Sequence, residues 1–214
     1  MSDPECIVFV VDDDPLVRDS VADLLVSAGF AAQTFGSATE FIQAKRPDAS
    51  ACLILDVELP DLSGLDLQTY LTKSGIEVPI VFLTGHGDIP KSVRAMKAGA
   101  VEFLTKPFRA QELVDAVRQA LERDGEFRKQ RSETLKLRER LGTLTPRERQ
   151  VLAWVVTGLL NKQIAGELGT TELTIKAHRG RVMRKMNAAS LADLVRMAEK
   201  LKISPPRPSS TKVE

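Results

Sequence analysis

The chain has 214 residues, 43% hydrophobic and 28% charged, with two cysteines, Cys6 and Cys52. This composition supports packed cores and excludes disordered, collagen-like and disulfide-scaffold classes. No apolar run approaches the roughly 20 residues that span a bilayer, and Asp12–Asp14 directly after the first apolar run argue against a secretory leader, so a cytoplasmic chain without membrane contact is expected. A formal net charge of +1 hides a division: residues 1–125 carry 11 Lys/Arg against 20 Asp/Glu, and residues 145–203 carry 11 against 5. An acidic front and a basic back point to two domains with different partners, the basic one a candidate for nucleic acid.

In chain order, Ile7–Val11 is a buried strand and Pro15–Ala28 a helix stopped at Gly29. Phe30–Phe35, Ala51–Leu55, Pro79–Thr84 and Val101–Leu104 read as further strands, and Ala38–Gln43, Leu65–Leu71, Lys91–Ala98 and Ala110–Glu122 as the helices between and after them. Five β–α repeats with continuous apolar strands predict a doubly wound, five-stranded parallel sheet of flavodoxin type, whose site lies at the carboxyl ends of the strands. Glu126–Leu144 is a charged helix in which Phe127, Thr134 and Leu141, and Gln130, Leu137 and Leu144, recur every seven residues. It reads either as a one-sided linker or as a short coiled-coil seam. From Thr145 the pattern is helical. Thr145, Pro146 and Glu148 form an N-terminal capping signal, Asn161–Leu168 and a stretch from Thr171 to about Met186 follow, and Leu191–Ala198 closes a four-helix domain. The resulting division is 1–125, a linker at 126–143, 144–203, and a proline-rich disordered tail at 204–214.

The predicted topology brings Asp12, Asp13 and Asp14, Asp56, Thr84 and Lys106 to one sheet edge. Clustered carboxylates without a His/Cys set favour a hard divalent cation such as Mg²⁺ or Mn²⁺. A carboxylate nucleophile beside such an ion can take a phosphoryl group, with Lys106 and Thr84 meeting its oxygens. Asp14 by position is an acid at a helix start.

The segments Val10-Val11-Asp12-Asp13-Asp14, Leu55–Gly64, Thr84-Gly85-His86-Gly87-Asp88, Lys97–Ala100 and Lys106-Pro107-Phe108 resemble, in order, the receiver domain of two-component response regulators. The resemblance implies Asp56 as phosphoacceptor. It implies Asp12, Asp13, Asp56 and the main-chain carbonyl of Glu58 as metal ligands, Thr84 and Phe103 as a pair that rearranges on phosphorylation, Lys106 as phosphate partner, and a cis Lys106–Pro107 bond. The Glu58 side chain departs from the pattern, because relatives often carry a basic, amide or apolar residue there. Its carboxylate either reaches the metal site or stands in solvent.

Helix, short glycine-containing turn and basic helix is helix-turn-helix grammar. Thr145–Glu148, Asn161–Ala165, Leu168-Gly169, Thr174–His178 and Val182–Met186 resemble the LuxR-type output domain, and the whole chain is similar to the FixJ/NarL class, particularly its FixJ branch. The resemblance makes Lys176, Ala177, Arg179 and Gly180 base-edge readers, with Arg179 the leading guanine reader. Thr174, Arg181, Lys185, Asn161 and Lys162 become phosphate contacts. It implies a regulator phosphorylated by a histidine kinase, dimerising on phosphorylation and binding promoter DNA, with RNA polymerase a further candidate partner, and no enzyme. Two other readings stay open: a constitutive DNA-binding regulator with a non-switching receiver, and a Mg²⁺-dependent phosphatase with an aspartyl nucleophile.

Overall fold

The computed structural model describes residues 6–85, 89–204 and 206. The residues His86, Gly87 and Asp88, and nearly all of the predicted tail, lie outside the described residues. The chain divides into two compact units, Met1–Arg128 and Lys129–Glu214.

The first unit runs β1 (Cys6–Val11), α1 (Pro15–Ser27), β2 (Ala31–Phe35), α2 (Ala38–Gln43), β3 (Ser50–Asp56), α3 (Gly64–Lys73), β4 (Ile80–Thr84), α4 (Ile89–Lys97), β5 (Glu102–Thr105) and the start of α5 (Ala110–Gly142). The strands are parallel in the order β2-β1-β3-β4-β5. Each central strand is apolar on both sides because both faces are covered. Phe9, Val11, Leu53, Leu55 and Phe82 face α2, α3 and α4 through Phe41, Leu67, Leu71 and Ala95. Their neighbours Val8, Val10, Cys52, Ile54, Val81 and Leu83 face Val21 and Leu25 of α1 and Leu113, Val117 and Ala120 of α5. Both cysteines are free thiols. Burial pushes the Cys52 thiol well above its usual range, so it serves as a small core hydrophobe.

Element boundaries differ from expectation by at most two residues, with one exception of consequence. The break predicted between Ala110–Glu122 and the linker does not exist: α5 is one helix of 33 residues. Gly125 sits inside it, at an exposed position where glycine costs only about 1 kcal/mol relative to alanine. Next to it the buried Asp124 carboxylate accepts from the Ala51 amide at 2.9 Å and the Ser50 hydroxyl at 3.1 Å, which holds this turn against the start of β3. Arg128 pairs with Asp48 one turn later. These tertiary contacts outweigh a local helix breaker.

The second unit contains the end of α5, then α6 (Pro146–Val155), α7 (Asn161–Glu167), α8 (Glu172–Met186) and α9 (Leu191–Lys200). The expected capping box is present: the Glu148 amide donates to the Thr145 hydroxyl, and Glu148 Oε2 accepts from the Thr145 amide at 2.9 Å. Leu144, Val151, Leu152, Trp154, Val155, Ile164, Ile175, Val182, Met186 and Leu194 form the core. The turn between α7 and α8 passes through Gly169 at φ +59°, a left-handed conformation that favours glycine. On the α5 segment of this unit, Leu137 is buried and Leu141 packs on the core, while Leu135 is exposed; Glu133 pairs with Lys200 of α9 at 2.9 Å. This segment therefore packs one side on the core of its own unit. Among the described residues, no helix is long and apolar enough to cross a membrane.

Candidate functional site

The strand order reverses between β1 and β3, and the carboxyl ends of the strands there open a crevice. Asp12 follows β1, Asp56 ends β3, Thr84 ends β4, and Lys106 follows β5. Asp12, Asp56 and Thr84 are buried, at 1%, 7% and 1% exposure. Carboxylate oxygens of Asp12, Asp13 and Asp56 all lie within 4.8 Å of one another. The Lys106 ammonium meets Asp12 Oδ2 at 2.7 Å and Asp56 Oδ2 at 2.5 Å. Burial works to lower the Lys106 pKa, but its bonds to the two carboxylates outweigh this and raise it. Burial pushes the Asp12 carboxyl up, against the pull of Lys106 and with the added repulsion of Asp56.

Main-chain groups complete the crevice. Asp56 Oδ1 accepts from the Glu58 amide at 2.8 Å, and Asp12 Oδ1 from the Asp14 amide at 3.0 Å. The Lys106 amide donates to the Thr84 carbonyl at 2.7 Å, and the Lys106–Pro107 bond is cis. Asp14 caps α1, accepting from the Leu16 amide at 2.9 Å, which matches its reading as a helix-start acid. The loop after β3 returns tightly: a Cβ on Gly64 would lie 2.2 Å from the Asp56 carbonyl oxygen, so only glycine fits. Phe103 is half-buried beside Phe82, with ring centroids 6.0 Å apart. The Glu58 carboxylate is exposed and pairs with Lys91 of α4 at 3.2 Å.

This donor set suits a hard cation: three carboxylates, one of them exposed, with no thiolate or imidazole in the cluster among the described residues. Lys106 supplies compensating positive charge between Asp12 and Asp56.

Sequence reasoning missed Asp61. Its carboxylate accepts from the Thr39 amide (2.8 Å), the Thr39 hydroxyl (2.7 Å) and the Ala38 amide (3.3 Å), tying the loop after β3 to the start of α2. Slight burial works to raise its pKa, but these bonds hold it down at about 2. Its partners lie 22 and 23 residues away, so no local pattern announces it.

In the second unit, α7 and α8 are joined by the tight turn expected of a helix-turn-helix. Ile175, Val182 and Met186 bury one face of α8, and Lys176, Ala177, Gly180, Arg181 and Arg184 stand exposed. Lys162 of α7 is exposed too. Thr174 is half-buried, its hydroxyl 2.8 Å from that of Thr171, the α8 cap. Two expected contacts take different positions. Arg179 is half-buried on the flank of α8 and donates to Asn161 Oδ1 at 3.2 Å. Lys185, expected at the DNA phosphates, gives its ammonium to Glu148 Oε2 at 2.7 Å and the Thr143 carbonyl at 3.0 Å. Glu148 is only 2% exposed, and a buried carboxylate requires such a partner. This pair joins the start of α6 to the last turn of α8.

Two family models match the chain: the response regulator receiver domain over residues 8–118 and the bacterial regulatory proteins of the luxR family over residues 142–198. Nodulation protein W of Bradyrhizobium diazoefficiens is 54% identical over 209 residues, covering 98% of this chain and 92% of its own. The transcriptional regulatory protein FixJ of Azorhizobium caulinodans is 44% identical, covering 89% of this chain and 90% of its own. Among solved structures, response regulator StyR is 50% identical with a TM-score of 0.78, covering 92% of this chain and all of its own. A buried carboxylate–lysine crevice on a five-stranded parallel sheet, a basic helix-turn-helix and these whole-length likenesses agree: the chain belongs to the FixJ/NarL class of two-component response regulators and is a phosphorylation-controlled DNA-binding regulator.

Proposed function

We propose that Asp56 is the phosphoacceptor and that its phosphorylation by a histidine kinase controls how residues 144–203 bind promoter DNA. The observation that carries this reading is the triangle that the half-buried Lys106 forms with the buried Asp12 and Asp56, beside the exposed Asp13. A carboxylate there can attack phosphorus while Lys106 receives the phosphoryl oxygens. Asp12, Asp13, Asp56 and the Glu58 carbonyl are the residues that would hold Mg²⁺ or Mn²⁺, and such an ion supplies charge neutralisation for the incoming phosphoryl group. Thr84 and Phe103 respond to the new charge and reshape the α4–β5 face, which pairs with its twin. Residues 1–125 form the receiver and 126–143 the linker, and the protein acts in the cytoplasm, with RNA polymerase as a further partner at the promoter.

Lys176, Ala177 and Gly180 read base edges from the exposed face of α8, with Arg179 joining once DNA displaces its Asn161 contact. Thr174, Arg181, Asn161 and Lys162 contact phosphates, and Lys185 first serves Glu148. Promoter-fragment binding and sedimentation, before and after treatment with a small-molecule phosphodonor and Mg²⁺, test the proposal. Affinity and dimer fraction rise together on treatment. Unchanged values in both measurements sink the switch, and multiple turnover of phosphate monoesters supports a phosphatase instead.

A further inference from the structure

Leu173 stands on the second residue of α8 at 78% exposure, the most exposed of the large hydrophobic residues in the chain's described part. Hydrophobic side chains scattered singly on a surface carry no message. Leu173 is not placed at random. At about 3.6 residues per turn, Leu173, Lys176, Ala177 and Gly180 share one face of α8, opposite the buried face of Ile175, Val182 and Met186. Three of these four exposed positions have no polar side chain. Gly180 has no internal reason to be glycine, since a Cβ there meets nothing within 4 Å and its φ is not positive. Glycine inside a helix lowers stability relative to alanine, so the fold of this unit does not call for it.

The surroundings of this apolar strip are cationic. Arg181 and Arg184 on the same helix and Lys162 on α7 are exposed. An apolar edge framed by cations fits the floor of a DNA major groove, where phosphates rim the groove and the thymine C5-methyl is the one apolar group on the base edges. The amino-terminal residues of a helix-turn-helix reading helix are the ones that reach base edges. We propose that Leu173 is a specificity-determining residue that packs on a thymine methyl in each half-site, extending the reading face one turn toward the start of α8. This inference rests on the DNA-reading role of α8 proposed above.

The test uses the full-length protein, treated with a small-molecule phosphodonor and Mg²⁺, and a duplex enriched by it from a random library. Each thymine of that duplex is replaced in turn by deoxyuridine, which lacks only the methyl group, and affinity is measured for the wild type and for Leu173→Ala. One replacement per half-site weakens the wild type about fourfold, the worth of one buried methyl, and leaves Leu173→Ala unaffected. Identical uracil profiles for both proteins overturn the inference while leaving DNA reading intact. A loss in Leu173→Ala that is equal on thymine and uracil duplexes also overturns it and assigns Leu173 to a protein contact. Failure to enrich any duplex overturns the DNA-reading role itself, and the inference with it. Thermal unfolding of Leu173→Ala matches the wild type, because the side chain is exposed.

Discussion

Asp12 and Asp56 in the first unit are almost wholly buried and share one ammonium, whereas Lys176, Arg181 and Arg184 in the second stand in solvent. The first arrangement exists only because four strand ends converge; each charge there is tolerated through partners supplied by other strands. The second follows from the phase of one helix, so its charges keep their positions wherever α8 folds. The second unit also contains a buried pair, Glu148 with Lys185, and that pair serves its framework. Burial of a charge is therefore not by itself a mark of chemistry. What marks the first cluster is that, among the described residues, three carboxylates gather around one ammonium.

Perturbing one unit at a time sharpens this contrast. The largest effect is expected from Asp56→Asn, which abolishes phosphate incorporation from a small-molecule donor while the second unit's melting is unchanged; retained labelling on another residue would break the assignment. Gly64→Ala forces a Cβ against the Asp56 carbonyl and destabilises the first unit by about 3 kcal/mol, read as a lower urea midpoint. Glu148→Gln weakens the second unit by about 2 kcal/mol through loss of the charge-assisted bond to Lys185.

The same pair has a pH signature. The Lys185 ammonium, with the Thr145 amide, holds the Glu148 carboxyl at about 2, below its ordinary 4.5. The unfolded chain takes up that proton first as pH falls. The stabilisation is therefore complete above the ordinary value and is lost as pH drops through about 2. Melting of the second unit across that window should fall more steeply in the wild type than in Glu148→Gln, and parallel curves would refute the assignment. The smallest effect belongs to Glu58→Gln. Its ion pair with Lys91 is 59% and 41% exposed on the two sides, so stability shifts by less than about 1 kcal/mol in a denaturant titration.

Much of the molecule was legible from local pattern. Continuous apolar runs marked the buried parallel strands, and the placement of Asp12, Asp56, Thr84 and Lys106 at one edge followed from strand order alone. Thr145, Pro146 and Glu148 announced the start of α6. The separation of Ala110–Glu122 from Glu126–Leu144 was not legible correctly, because the Asp124 contacts that hold the helix together there join residues 73 and 74 apart. The Glu58 side chain could not be placed either, because its partner Lys91 is 33 residues away.

By itself the sequence determined the β–α alternation, the helix phases, the caps and the set of groups that reach the crevice, because each depends on neighbours within a few residues. Tertiary structure decided how those groups are committed. Lys106 bridges Asp12 and Asp56, Asp61 holds the start of α2, Arg179 rests on Asn161, and Lys185 belongs first to Glu148. In each case a polar side chain meets a partner far along the chain, and for Lys106 and Lys185 that partner is a buried carboxylate, which burial penalises if left without a cation.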